Sequence, residues 1–130
     1  MVQLLKTYKD IDLDFTPHPI TKDLAKKIGF DAVSRSIRNL IFTNFYDKPF
    51  NPSVGSGARK LLFENATALT ANFLRDQIIN VIQNFEPRAK LRDVIITTSE
   101  DGHSFNTQIQ YSMVNQPGVA TINILLEKIR

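Results

Sequence analysis

The sequence predicts an α+β domain in which three helices pack on one face of a mainly antiparallel sheet, and the sheet ends in a C-terminal three-stranded meander. Two observations lead to this prediction. Up to Pro87, apolar residues recur at the three- and four-residue spacing of buried helix faces. Beyond Arg88 the apolar residues alternate with polar ones, as on strands that bury one face. Helices and strands in separate blocks favour an antiparallel sheet.

The composition is typical of a folded chain without covalent cross-links. Of the 130 residues, 42% are hydrophobic and 22% charged, so we expect one domain with one core. Cysteine is absent, which excludes disulfides, thiolate metal sites and cysteine nucleophiles. The sequence contains no long apolar run and no signal-peptide pattern at its start, so we expect neither a membrane span nor secretion by that route.

The charge balance argues against a nucleic-acid partner. The chain has 16 basic and 13 acidic residues, and its longest basic run is Lys26-Lys27. A nucleic-acid surface normally needs a basic stripe with stacking aromatic side chains. We therefore expect no nucleic-acid partner and no membrane partner.

Residues 1–20 are predicted to form an extended N-terminal arm, and residues 21–130 a single domain. Pro17 and Pro19 lie too close together for a helix to include both.

Three aspartates in the arm have the spacing of a calcium loop, namely Asp10, Asp12 and Asp14. However, Phe15 and Thr21 occupy the positions at which such a loop needs Gly and Glu. We predict a solvated edge and no metal site.

The first helix is predicted over residues 31–44. Asp31 is expected to cap its first turn, with Phe30 packed beneath it. Two prolines and two glycines make residues 46–57 a loop. The buried face of the helix consists of Val33, Ile37, Leu40 and Ile41.

A short apolar turn is predicted from Ala58 to Phe63, with Leu61 and Leu62 pointing inward. The glycines at its start, in Gly55–Lys60, suggest an anion cradle at a helix start. The spacing of a phosphate-binding loop is missing, so a tight turn with a helix cap explains them better.

A longer helix follows. Thr70 is expected to cap it, and Pro87 ends it because proline cannot continue the hydrogen-bond ladder. Its apolar set is Leu74, Ile78, Val81, Ile82 and Phe85.

Three strands are predicted near residues 92–99, 104–114 and 119–128. Asp101-Gly102 and Gln116-Pro117-Gly118 are the turn signals around the middle strand. A fourth strand near Asp23–Lys27 is expected to pair at the sheet edge. The alternating apolar residues are Phe105, Thr107, Ile109, Tyr111 and Met113 on the middle strand, and Ala120, Ile122, Ile124 and Leu126 on the last.

No catalytic residue, metal or cofactor is predicted. Four acidic residues are acid/base candidates only by type: Glu64, Asp76, Glu86 and Asp101. The sequence places none of them opposite another. His18 and His103 both fall in loops, and neither has a metal-binding or triad-like spacing.

The corner Glu86-Pro87-Arg88 is the most informative segment, because an acid and a base flank the proline that ends a buried helix. Pro87 fixes the exit direction of the chain, so Glu86 and Arg88 are expected to project from a rigid corner. From the residues alone, a binding site and a plain surface ion pair are equally good interpretations.

The chain resembles the GPW/gene 25-like baseplate wedge proteins of contractile-tailed phages over roughly residues 20–130. Several short motifs carry the resemblance in order: Ser36-Ile37-Arg38-Asn39-Leu40-Ile41, Lys48-Pro49-Phe50-Asn51-Pro52, Gly55, Leu61-Leu62-Phe63-Glu64, Thr70-Ala71 and Phe85-Glu86-Pro87-Arg88. Tyr8-Lys9-Asp10-Ile11-Asp12 is similar to the phage branch.

The resemblance implies a structural subunit of the tail baseplate in the virion, assembled in the host cytoplasm. Its implied partners are the helical core bundle of larger wedge proteins, the tail sheath protein and other baseplate and tube-adjacent proteins. Glu86, Pro87 and Arg88 match the family motif that contacts the core bundle. Related proteins serve type VI secretion and injection systems.

Sheath initiation, which the resemblance also implies, is assigned to the edge of the last strand, Val119–Lys128. A proline at Ile124 is expected to stop sheath growth there. The edge residues are Val119, Thr121, Asn123 and Leu125.

The alternative function is a peptidoglycan-cleaving, lysozyme-like enzyme, because some relatives carry that label. Turnover of peptidoglycan that is lost in Glu64→Gln or Glu86→Gln would favour it.

Overall fold

The computed structural model describes residues 9–11, 20, 26–114 and 116–127, and it confirms the α+β prediction. The elements are β1 (Lys9–Ile11), β2 (Lys26–Ile28), α1 (Phe30–Phe42), α2 (Ala58–Leu61), α3 (Ala68–Phe85), β3 (Ala89–Thr98), β4 (Ser104–Met113) and β5 (Gln116–Glu127). None of the helices in this part of the chain has the length and apolar character needed to cross a membrane.

Strands β3, β4 and β5 form an antiparallel meander in that spatial order. The register places Val94 opposite Ile109, and Ile109 opposite Ile122, so that apolar side chains from all three strands share one face. β3 and β5 begin three residues earlier than predicted, and a bulge interrupts the pairing between Leu91 and Asp93.

The core fills the space between this face and helices α1 and α3. The alternating residues of β4 are all buried, as predicted. The hydroxyl of one of them, Thr107, has no hydrogen-bond partner among the described residues. The helices contribute Val33, Ile37, Leu40 and Ile41 from α1, and Leu74, Ile78, Val81 and Ile82 from α3.

Helix α1 begins one residue earlier than predicted, and Asp31 does not cap it. Gly29 occupies the cap position with φ 63, so no side-chain cap hydrogen bond is made there. Phe30 packs against Tyr111, with ring centroids 6.1 Å apart. This contact draws Phe30 into the helix and leaves Asp31 in the first turn, where a carboxylate still suits the helix dipole.

The predicted cap of α3 is also wrong by three residues. Thr67 is the cap, and its Oγ1 accepts a hydrogen bond from the Thr70 N–H at 3.3 Å. Thr70 lies inside the helix, where its own hydroxyl donates to the Asn65 carbonyl oxygen at 2.8 Å. The end at Phe85, before Pro87, agrees with the prediction.

The predicted fourth strand does not join the meander. Its described residues, Lys26 and Lys27, lie in β2, which pairs antiparallel with β1 in a separate two-stranded sheet. A partner strand from the N-terminal arm therefore replaces the meander edge that we expected. Residues 21–25, like the remainder of the arm at 1–8 and 12–19, lie outside the described residues.

An isolated β-bridge between Asn44 and Ser56 joins the two ends of the loop that follows α1. The Ser56 N–H donates to the Thr43 carbonyl oxygen at 2.8 Å. Its hydroxyl donates to the Ile41 carbonyl oxygen at 2.6 Å. The loop predicted over residues 46–57 is therefore an ordered one, with its two ends held together.

Candidate functional site

An ion pair defines the corner between α3 and β3. The Arg88 guanidinium donates to both carboxylate oxygens of Glu86, from Nε to Oε1 at 2.7 Å and from Nη2 to Oε2 at 3.0 Å. A bidentate arginine–carboxylate contact of this kind is among the strongest charge-assisted interactions in proteins. It fixes the plane of the guanidinium relative to the end of the helix.

Glu86 does not project from the corner as the sequence suggested, because only 2% of the residue is exposed. Burial pushes the pKa of the Glu86 carboxyl upward. Hydrogen bonds from Arg88 and Ser36 outweigh this effect and hold the pKa below its ordinary value. Glu86 is therefore an ionised, internally bonded anchor for Arg88.

Arg88 is the more accessible partner, with 21% of its side chain exposed. Its guanidinium also reaches Asp10 of β1, at 3.3 Å between Nη2 and Oδ2. The hydrogen bond to Glu86 and the contact with Asp10 raise the pKa of Arg88, although burial opposes them. Arg88 thus joins the N-terminal strand to the helix end, beside the exposed Pro87.

The hydrogen-bond ladder shows which residues of β5 face its free edge. The Ser99 N–H donates to the Ser104 carbonyl oxygen at 2.9 Å, just beyond the pair Thr98 and Phe105. Backbone groups alternate in direction along antiparallel strands. From Ser104 onward, every second residue of β4 therefore bonds to β3, and those between bond to β5. In β5, the residues whose backbone N–H and C=O groups point away from β4 are Val119, Thr121, Asn123 and Leu125.

These four residues are the predicted sheath-binding positions, and all of them are exposed. Arg38 of α1 reaches this edge: its Nη2 lies 3.4 Å from the Asn123 carbonyl oxygen. The contact agrees with the outward direction deduced from the ladder. At 3.4 Å it is a weak hydrogen bond.

The opposite edge, on β3, is covered more firmly. Arg75 of α3 donates from Nε to the Val94 carbonyl oxygen at 2.9 Å, and the Asp93 carboxylate accepts the Val94 N–H at 2.8 Å. Arg75 and Asp93 also pair at 3.6 Å. A bulge interrupts each outer strand, but that of β5 lies at its start, before Val119. Since a charged pair on an edge blocks strand addition, β5 offers the more accessible edge.

The other acid/base candidates lie at the surface of the chain. Glu64, Asp76 and Asp101 are exposed, and the buried Glu86 bonds to Arg88. Within the described part of the chain, no cluster of three or more acidic or histidine side chains is positioned to hold a metal. His103 is exposed; His18, Asp12 and Asp14 lie outside the described residues.

The glycine-rich segment before α2 forms a turn and cap, as favoured from the sequence. Ser56 Oγ accepts the Ala58 N–H at 3.4 Å, so this donor is already engaged by the chain itself. The helix that follows has only four residues.

Four participating residues were missed from the sequence. Asp10 bonds to Arg88 from 78 positions away in the chain. Ser36 bonds to Glu86 from 50 positions away. Arg38 and Arg75 cover the two sheet edges. No local pattern reveals such contacts, because they depend on how the elements pack. Asp10, Ser36 and Arg38 do fall within segments that carry the family resemblance, which is the signal that singles them out.

Comparison with known proteins identifies a family. A family model described as baseplate wedge protein gp25 matches residues 29–118. The baseplate wedge protein gp25 of Enterobacteria phage T4 is 29% identical over 117 residues, which represent 90% of this chain and 88% of that protein.

Two solved structures share the fold. A provisionally assigned tail lysozyme from Geobacter sulfurreducens matches with a TM-score of 0.68 and 17% identity, covering 75% of this chain and 89% of that chain. A chain of the anti-feeding prophage baseplate matches with a TM-score of 0.65 and 22% identity, covering 95% of this chain and 88% of that chain. At these identities the likeness concerns the fold alone. Because the family model spans most of the sequence, the chain belongs to the family of the baseplate wedge protein gp25.

Proposed function

We propose that the chain is a structural wedge subunit of a contractile-tail baseplate, and that it works by binding other proteins and not by catalysis. Its corner Glu86-Pro87-Arg88 binds the helical core bundle of larger wedge proteins. The free edge of β5 receives a strand of the tail sheath protein. The subunit joins the baseplate in the host cytoplasm and remains in the virion.

The orientation of Arg88 is the observation that carries the proposal. Glu86 holds the guanidinium by two hydrogen bonds, so its position is fixed before any partner arrives. Less side-chain entropy is then lost on binding. Arg88 and Pro87 supply the contact, whereas Glu86 acts through Arg88. A carboxylate of the core bundle would take the outer donors that Asp10 contacts at 3.3–3.4 Å.

The contact lengths support such an exchange. Arg88 bonds to Glu86 at 2.7 and 3.0 Å, and its contacts with Asp10 are longer. The Asp10 side chain is 38% exposed. An exposed ion pair contributes little to stability. Replacing Asp10 by a partner carboxylate therefore costs little, and the Glu86 pair stays in place.

The experiment is the incorporation of variants into wedges reconstituted from the larger wedge proteins. Arg88→Ala should lower incorporation about tenfold or more, as expected when a buried charge contact at an interface is lost. Lys90→Ala, which removes an exposed charge two residues away, should incorporate normally. Asp10→Ala should also incorporate, because it leaves the Glu86 pair intact.

Folding is controlled separately, because Arg88→Ala leaves Glu86 buried without its partner, at a cost of about 3–5 kcal/mol. Arg88→Lys keeps the charge but lacks the two-pronged geometry, so it should fold and still incorporate poorly. Normal incorporation of folded Arg88→Ala and Arg88→Lys would refute the corner as a binding site.

A further inference from the structure

An open groove of about 480 Å³ lies beside the loop that follows α1. We call it the aromatic groove and define it by Phe45, Tyr46, Phe63, Arg59 and Lys60. Its three aromatic residues are exposed by 41%, 82% and 62% in that order. It shares no lining residue with the corner or with the β5 edge. Clustered exposed aromatic side chains are typical of protein contact surfaces.

The backbone that carries the groove is fixed in advance. The Tyr46 N–H donates to the Pro52 carbonyl oxygen at 2.9 Å, across the loop. At Gly55 the chain passes so close that a Cβ atom would lie 2.6 Å from the backbone carbon of Asn44. Only glycine allows this approach. The aromatic residues are therefore presented by a preorganised loop, which lowers the entropy lost on binding.

Tyr46 has a positive φ at the third position of the turn Asn44–Asp47, which the Asp47 N–H closes by donating to the Asn44 carbonyl oxygen at 3.2 Å. Its φ is 72, in the left-handed region that costs a bulky residue about 1 kcal/mol or more. Packing inside the chain does not offset this cost, since the side chain is largely exposed. Backbone hydrogen bonds hold this conformation, and the exposed ring is available to a partner.

The charge of the groove is positive. Arg59 and Lys60 are exposed, and no ion pair is formed by either one within the described part of the chain. None of the residues that line the groove is acidic. The adjacent Asp47 is not a lining residue, and its carboxylate accepts the Asn44 N–H at 2.8 Å.

We infer that the aromatic groove binds a segment of a partner protein that places carboxylates against Arg59 and Lys60 and an apolar or aromatic side chain against Phe45, Tyr46 and Phe63. Two adjacent cations match a short acidic segment better than a nucleic-acid backbone, which needs a longer basic track. The inference rests on the proposed function only for its setting, a neighbouring protein in the same particle.

The first test uses the purified chain and two synthetic peptides. One alternates aspartate with leucine and phenylalanine; the other has lysine in place of each aspartate. The acidic peptide should shift the ring resonances of Phe45 and Phe63 in nuclear magnetic resonance spectra, and the basic peptide should not. Equal shifts with both peptides, or none with the acidic one, would overturn the inference.

Variants test the location. Combined Arg59→Glu and Lys60→Glu should weaken binding of the acidic peptide about tenfold or more, because like charges then face each other. Lys90→Glu, on the exposed side of β3, should stay within about twofold. A second variant, Phe63→Ser, should weaken binding without changing the charge. An unchanged affinity in both groove variants contradicts the assignment.

The second test uses assembled particles with a photo-cross-linking amino acid at Tyr46 and, as a control, at the exposed Leu69 of α3. The cross-linked peptide from Tyr46 should come from another protein and contain acidic residues. Cross-links to nucleic acid or to a second copy of the chain, or a yield no higher than at Leu69, would overturn the inference. Absence of the chain from particles would instead refute the proposed function, and the peptide test would still decide the groove.

Discussion

At the scale of single residues, burial decides how the corner works. Glu86 lies almost wholly inside the chain, yet hydrogen bonds from Arg88 and Ser36 keep its carboxyl ionised. An acid in this state cannot serve as the proton donor of glycoside hydrolysis, which needs a raised pKa. It can hold an arginine in one orientation. The same two residues therefore favour a binding role over a catalytic one.

The pH dependence of stability should report this ion pair. Because the pKa of Glu86 is lower in the folded than in the unfolded chain, its stabilisation is present above the ordinary glutamate pKa, about 4.3. It is lost as the pH falls through the lowered, folded-state value. Urea unfolding from about pH 7 to about pH 3 should show wild type losing more unfolding free energy than Glu86→Gln, because only wild type has this carboxyl group to protonate.

The comparison between these two proteins is the control, since all other carboxyl groups are common to both. Parallel stability curves for wild type and Glu86→Gln over this range would contradict the lowered pKa.

At the scale of elements, the two edges of the meander differ in how they are protected. The β3 edge carries the Arg75–Asp93 pair beside its bulge, whereas the bulge of β5 lies at the start of the strand, before Val119. Among the described residues, the side chain that bonds to the backbone of this edge is Arg38, at 3.4 Å. Strand addition uses unpaired backbone donors and acceptors. The β5 edge is thus the better acceptor, provided that Arg38 releases Asn123.

The hydrogen-bond pattern also shows that Ile124 does not face the free edge of β5. A proline at Ile124 was expected to act on the free edge, but the Ile124 backbone faces β4 and its side chain is buried. Ile124→Pro should therefore cost about 3 kcal/mol or more of folding free energy. The informative position is Thr121, whose N–H faces away from the sheet.

Thr121→Pro should leave wedge assembly intact and stop sheath growth, because it removes an outward donor and no ladder bond. Its unfolding free energy should change by about 1 kcal/mol or less. Thr121→Val keeps the N–H and serves as the matched control. Electron micrographs of assembled tails give the readout, and full-length sheaths on Thr121→Pro baseplates would refute the edge proposal.

At the scale of the whole molecule, the helices cover one face of the meander and leave separate surfaces for partners. The corner, the β5 edge and the aromatic groove share no residue. A small subunit can in this way contact several neighbours at once, as membership of the baseplate wedge protein gp25 family suggests. The fold is also found in a provisionally assigned tail lysozyme, so fold alone does not decide between binding and catalysis.

Purified chain should release no soluble fragments from peptidoglycan. The sequence candidates Glu64, Asp76 and Asp101 are exposed, and Glu86 is an ionised partner of Arg88. A retaining or inverting mechanism needs two carboxyl groups, one of them protonated. Activity present in wild type and abolished in Glu64→Gln or Glu86→Gln would overturn the non-catalytic proposal.

The sequence by itself determined the fold class, the buried faces of α1, α3 and the meander, and the helix end before Pro87. These features follow from periodicity and from the chemistry of proline, which are local along the chain. The tertiary structure alone decided that Glu86 faces inward, that Asp10 reaches Arg88, and that β2 pairs with β1 instead of with the meander. Such contacts join residues far apart in sequence, and their energies depend on packing that no local pattern records.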